Sequence, residues 1–291
     1  MTNPTLDRRT FLKGSAAALA ATTSLLAGAA EPKSAWRKAF MLGSVGSGPV
    51  LKHFELLKEA GFEGVELLSP NDFDRDEVLK ARDATGLAIH GVSGSKHWDN
   101  PLSSPDPAVV DRGLAAIRKS IADCKAYGGT TVLLVPAVVN AQVSHREAYA
   151  RSQANIREIL PEAEGAGIKI AIEEVWNKFL LSAPEMARFI DEFGTPTVGA
   201  YFDVGNVVEY GYPQEWIREL GKRILKVHIK EYAKAKRFAY PLGEGEIRWP
   251  AVRSALINVG YEGWITAEVG LGDLAAMKEV VRRMDKILGP A

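Results

Sequence analysis

Two glutamates, an aspartate and a histidine stand at or near the ends of four consecutive apolar runs in this 291-residue chain. The runs are KIAIEE (169–174), VGAYFD (198–203), ILKVHI (224–229) and GWITAE (263–268), which offer Glu173 or Glu174, Asp203, His228 and Glu268. Three carboxylates and one neutral imidazole make a hard, mostly oxygen site for one divalent metal ion. Manganese suits it best, with magnesium, cobalt or zinc as alternatives. Such an ion beside a carbonyl acidifies the neighbouring C–H bond, and a nearby carboxylate can carry the proton. Taken singly, each residue has a plainer use: a strand-end carboxylate as a solvated turn residue or helix cap, a histidine as a satisfied structural one. Four suitable residues at four successive strand ends are much harder to reach by accident.

Bringing those ends together requires a particular architecture. Strand-like runs are also expected at 39–43, 63–67, 87–93 and 130–136, which makes eight. Amphipathic stretches of helical period lie between them at 50–60, 107–128, 145–167 and 274–288, and Gly61, Gly86, Gly128 and Gly167 close helical stretches before the next strand. Alternation throughout predicts an α/β fold, a single-domain (β/α)8 TIM barrel over residues 31–291, whose C-terminal strand ends converge on one mouth. Gly43, Gly46 and Gly48 have the wrong spacing for a dinucleotide fingerprint and read as a flexible loop. Strand parity puts Tyr201, Lys226 and Thr266 on the ligand face, with Phe202, Val227 and Ala267 on the other. At the ambiguous pair it favours Glu173, because Ala171 then shares its face while Ile170 and Ile172 point to the helices.

Composition bounds the partners. Thirty-six residues of each charge sign give no electrostatic reason to expect nucleic acid. Cys124 is the only cysteine, so no intrachain disulfide can form. Residues 1–30 read as a targeting segment: Asp7-Arg8-Arg9-Thr10-Phe11-Leu12-Lys13 is a twin-arginine pattern, followed by an uncharged Ala-rich stretch from Gly14 to Ala30. That stretch sits at the short limit of a membrane span of about 20 residues, so no stable membrane insertion is expected after processing. The expected location is periplasmic or secreted, after export in the folded state. Loading the metal before export would avoid competition from copper and zinc, which such ligands bind more tightly by raw affinity.

From about residue 36 to 289 the chain resembles the xylose isomerase-like barrel family of sugar isomerases and epimerases. The likeness is densest in IAIEEVWNKFLLS (170–182), VGAYFDVGNVVEYGYPQEWIREL (198–220), KVHIKEY (226–232), LGEGEIRWPAVRSAL (242–256) and GYEGWITAEV (260–269). The resemblance implies a single metal held by Glu173, Asp203, His228 and Glu268, with Glu173 and Glu268 also the two proton-transferring groups. One removes a proton next to a carbonyl and the other returns it. Reprotonation on the opposite face gives epimerisation, and on the same face aldose–ketose isomerisation. One family motif favours Glu173 as the strand-five ligand, while a second, Glu-x-x-Asn-x-Phe, would fit Glu174. Sugar epimerases of the family place a substrate-contacting His where this chain has Asn206 and an Arg where it has Lys234, so the sugar and its orientation are not carried over. The implied partner is a small sugar or polyol-derived substrate, and homo-oligomers are common in the family. His90, Asn206 and Lys230 are the candidate substrate contacts, with Glu66 and Glu231 as further polar residues near strand ends. The long segment 93–107 is a candidate lid, with His97 and Trp98 placed to stack on a sugar.

Three other readings share parts of this pattern. A dehydratase of inosose type would use the same metal and proton abstraction but expel a hydroxyl. A nuclease of the same superfamily would need several zinc ions, more histidines than the five present and a basic groove. A sugar-binding protein without turnover would have no need of two metal-bound bases.

Overall fold

The computed structural model describes residues 36–43 and 49–289. The twin-arginine segment at 1–30 and residues 44–48 of the first loop lie outside them. Strands β1 (Trp36–Leu42), β2 (Gly64–Ser69), β3 (Ala88–Gly94), β4 (Thr131–Leu134), β5 (Lys169–Glu173), β6 (Val198–Asp203), β7 (Ile224–Ile229) and β8 (Gly263–Ala267) pair in sequence order as a closed parallel barrel. β8 returns to β1 in the register Trp36↔Gly263 through Phe40↔Ala267. The helices between and after them are α1 (Val50–Ala60), α2 (Arg75–Thr85), α3 (Pro107–Tyr127), α4 (His145–Ala166), α5 (Ala183–Asp191), α6 (Pro213–Leu220), α7 (Trp249–Asn258) and α8 (Leu274–Leu288). The expected TIM barrel is the observed one.

Local chemistry sets where these helices start and stop. Asp74 accepts from the Glu77 amide at the start of α2, and Ser144 with Glu147 forms a reciprocal capping box at the start of α4. Asp273 does the same work for α8 by accepting from the Ala276 amide. The four glycines expected to end helices do so with positive φ, from +67° at Gly86 to +105° at Gly61, where a Cβ would be strained.

Two cores follow from strand parity. Ile170, Ile172, Phe202 and Val227 point outward into the layer between barrel and helices, where they pack with Phe54, Leu57, Ile156 and Met284. Leu133, Val135, Ala171 and Tyr201 form a separate cluster. Ala171 therefore does not join the outward core of Ile170 and Ile172, as the parity argument requires. Register shifts at Val65/Glu66 against β3 and at Ala200/Tyr201 against β7 break the regular pairing. A bulge re-aims the side chains beside it. Here Glu66 and Tyr201, one from each shifted pair, meet in a buried hydrogen bond.

Candidate active site and metal centre

The barrel delivers its polar residues in layers. Glu173 and Asp203 are the last residues of β5 and β6, His228 is next to last in β7, and Glu268 directly follows β8. One ligand atom from each of the four lies within 4.8 Å of the others. His228 Nδ1 is 3.3 Å from Glu173 Oε1, 3.5 Å from Glu268 Oε2 and 4.0 Å from Asp203 Oδ2. The first three residues are buried, whereas the Glu268 side chain keeps 31% of its surface exposed. Glu268 is thus the member of the group that a ligand at the mouth meets first.

The donor set fits a divalent cation, and Asp203 gives the clearest sign of it. Its Oδ1 accepts from the Gly205 and Asn206 amides at 2.7 and 2.8 Å, which fixes the carboxylate as the first residue of a turn. Its Oδ2 is buried without a hydrogen bond, among the other three ligands. Its nearest counter-charge is Lys230 Nζ at 3.1 Å, and a divalent cation held by the four residues would compensate the same buried charge. Burial also holds the Asp203 carboxyl up at about 6, although Lys230 pulls the other way. The Glu173 carboxyl is pushed up by burial too. A bound cation reverses that penalty by favouring the charged forms.

Partners around the four residues orient them. His228 turns Nε2 away from the carboxylates to Glu66 Oε1 at 3.2 Å, and Tyr201 donates its hydroxyl to the same Glu66. A ligating histidine commonly hands its other ring N–H to a carboxylate in this way, which fixes tautomer and ring angle. Burial disfavours the charged imidazole, but Glu66 and Glu173 outweigh it and raise its pKa well above the usual value. Lys230 reaches Glu268 Oε2 at 2.7 Å and Asp203 Oδ2 at 3.1 Å. These carboxylates overcome its burial and hold it charged.

Glu174 points away from its neighbour. It is buried, accepts from the Asp203 amide at 3.0 Å through Oε1, and leaves Oε2 without a partner. Burial, reinforced by Asp203 and Glu173, pushes its pKa well up and so disfavours its charged form. Between the two candidates at the end of β5, the structure puts Glu173 in the cluster.

The structure places two of the expected substrate contacts, His90 and Asn206, in buried hydrogen-bonded positions. His90 is the residue skipped between the pairs Val65↔Ile89 and Glu66↔Gly91, and its ring goes to the floor of the barrel. There it stacks on Trp264 at 4.8 Å and meets Thr266 Oγ1 at 3.1 Å, sealed from solvent. Trp264 lies four residues before Glu268, about 13 Å along an extended strand, so His90 belongs to a layer beneath the cluster. Asn206 is also buried, and its amide donates to the Glu174 carbonyl at 2.9 Å while its own carbonyl accepts from Trp176. It ties the β5 and β6 ends together instead of facing a ligand. Lys234 is exposed in the loop after β7, with its amide bonded to Glu246. His97 and Trp98 sit side by side with ring centres 5.1 Å apart and Trp98 half exposed.

Glu231 is the functional residue that the sequence left unassigned. It is buried and accepts from the Gly243 amide at 2.7 Å, the Trp249 indole at 2.8 Å and the Tyr232 amide at 3.1 Å. The long segment between β7 and α7 is thereby pinned to the strand end that carries His228.

Fold and site together define the class: residues 54–287 match the xylose isomerase-like TIM barrel family, and the chain belongs to it. Among its relatives, the L-ribulose-5-phosphate 3-epimerase UlaE of Escherichia coli O1:K1 / APEC is 27% identical over 256 residues, covering 81% of this chain and 90% of that one. The L-ribulose 3-epimerase of Mesorhizobium japonicum is 28% identical over 214 residues, 70% of each chain. A solved L-ribulose 3-epimerase structure superposes with a TM-score of 0.74 at 22% identity, covering 87% of this chain and 94% of that one. A 3-keto-D-glucoside 4-epimerase from E. coli, YcjR, gives 0.74 at 17% identity over 86% of this chain and 99% of that one. At those identities the structural likenesses speak for the fold.

Proposed function

We propose that the protein is a sugar epimerase or isomerase that moves a proton at a carbon next to a carbonyl. Glu173, Asp203, His228 and Glu268 would hold one divalent cation, manganese before magnesium, cobalt or zinc. When bound, that ion supplies electron withdrawal from a carbonyl and its neighbouring hydroxyl. The observation that carries the reading is the convergence of the four ligand atoms within 4.8 Å, three of the residues being buried. The named epimerases among the relatives support it.

The chain's own groups divide the work. Glu268, partly open to solvent, and Glu173, nearly sealed, are the two proton carriers. One takes the proton from carbon and the other returns it, each positioned group contributing about 10²–10⁴-fold. Glu66 keeps the His228 ring oriented, and Lys230 holds Glu268 from the cleft side. The nearly complete burial of Glu173 excludes water from one side of the reacting carbon.

Metal analysis of purified protein, followed by deuterium wash-in on a panel of ketoses and inososes, tests this directly. One C–H position of one ketose should exchange with solvent, and new unsaturation in an inosose would point to the dehydratase instead. Metal-saturated protein that exchanges no proton in any of them refutes the proposal. Periplasmic export in the folded state rests on Arg8 and Arg9 and is proposed alongside. Replacing both with lysine should leave the protein in the cytoplasm.

A further inference from the structure

A cleft of about 1200 Å³ shares Glu268 and Lys230 with the candidate site and runs on past them. That exceeds the roughly 300–1,000 Å³ that encloses a drug-sized ligand, and a bare ketose is smaller still. The additional lining is apolar: Phe40, Phe238, Tyr240, Leu242, Leu271 and Val280 all contribute. Phe238 and Leu271 are more than a third exposed there, so apolar surface on the cleft wall is open to a ligand.

The charges in the cleft are already spoken for. Among the described residues its lysine and arginine are Lys230 and Arg283. Lys230 is taken up by Asp203 and Glu268. Arg283 donates to the Leu242 carbonyl at 2.9 Å and pairs with Glu244 at 2.6 Å and Glu279 at 2.8 Å. His53 also lines the cleft, where burial lowers its pKa and so disfavours the cationic ring. Glu268 and Glu279 add negative charge to the same walls. A phosphate dianion is held most strongly by unspent cationic donors, and among the described residues none lines the cleft.

We infer that the cleft takes an apolar, uncharged extension carried by the keto sugar, an alkyl or aryl group, in place of a phosphate. The inference rests on the epimerase reading and adds the class of substrate to it. Apolar surface removed from water on both partners supplies the affinity, and the reacting end remains with Glu173 and Glu268.

Calorimetry on manganese-loaded protein tests the inference with three forms of whichever ketose exchanges in the wash-in panel: the parent, its terminal phosphate ester and its terminal phenyl ether. The phenyl ether should bind at least about tenfold more tightly than the parent, and the phosphate no more tightly. Leu271→Ser should remove about fivefold of that gain and leave the parent's affinity unchanged. A phosphate that binds tightest, or a phenyl ether no better than the parent, overturns the inference while the epimerase reading stands. A dimer that Leu271→Ser dissociates would put a second copy in the cleft and overturn it as well. If no ketose exchanges or binds at all, the epimerase reading fails and takes this one with it.

Discussion

Replacing Glu66 with glutamine tests the site through a residue that is not itself a ligand. Glu66 and His228 are both buried, and the Nε2 to Oε1 distance is 3.2 Å. With a metal bound by the four residues, His228 would be neutral, its Nδ1 facing Glu173 and Glu268 and its Nε2 proton donated to Glu66. A hydrogen bond to a charged group contributes about 1.5–3 kcal/mol net, and one between neutral groups about 0.5–1.5 kcal/mol. Glu66→Gln keeps an acceptor of the same shape and loses the charge, so about 1–1.5 kcal/mol goes. At 1.4 kcal/mol per decade this is roughly tenfold, at the low end of the 10–100-fold that such outer partners contribute. Titration with manganese, read by calorimetry or by the free-ion electron spin resonance signal, should show the dissociation constant rising about tenfold. Circular dichroism and melting temperature serve as controls for folding. An unchanged manganese affinity in a normally folded variant would show that the contact between β2 and β7 does not tune the centre, and the layered account of the site would be wrong.

Four further outcomes are expected. Glu173→Gln should weaken manganese binding at least about 100-fold, whereas Glu174→Gln, outside the four-residue cluster, should change it by no more than about threefold; the reverse order would exchange their roles. Glu231→Gln removes a charged acceptor of several hydrogen bonds and should lower stability by about 1–3 kcal/mol in urea melts, with KM raised more than kcat is lowered. Gly245→Ala should act on the same segment, because a Cβ there would lie 2.4 Å from Glu231 Oε1 and 2.5 Å from the Tyr232 carbonyl; a stability unchanged from the parent protein counts against the pin. Burial pushes the Cys124 thiol up to about 12 from about 9. The folded chain therefore favours the neutral thiol, and that contribution is complete below pH 9 and fades as pH rises from 9 toward 12. At pH 8 a disulfide reagent should label Cys124 at the rate of unfolding, and immediate labelling of the native protein contradicts this.

The barrel and the four-residue cluster at its mouth were legible because both depend on periodic patterns. A two-residue alternation, such as Ile170, Ala171, Ile172, Glu173, shows which side of a strand faces the helices, and the last residue on the inner side is the one presented at the mouth. Helix ends were readable at Gly61, Gly86, Gly128 and Gly167 for the same local reason. His90 was misplaced because a one-residue register shift beside Glu66 turns its ring down to Trp264, and nothing in the string LAIHGVS announces that shift. Asn206 was misplaced because a side chain three residues after a strand-end aspartate can turn inward to a backbone carbonyl as readily as outward. Glu66 was noticed without a role, since its use depends on a ring 162 positions away in sequence. Glu231 was likewise noticed without a role, because its partners at 243 and 249 are brought back by a long loop.

The chain draws its ligands from one half of the barrel and the orienting carboxylate from the other. Glu173, Asp203, His228 and Glu268 all come from β5 to β8, while Glu66 comes from β2. A fragment carrying only the second half would own every donor atom and still lack the acceptor that selects which imidazole nitrogen keeps its hydrogen.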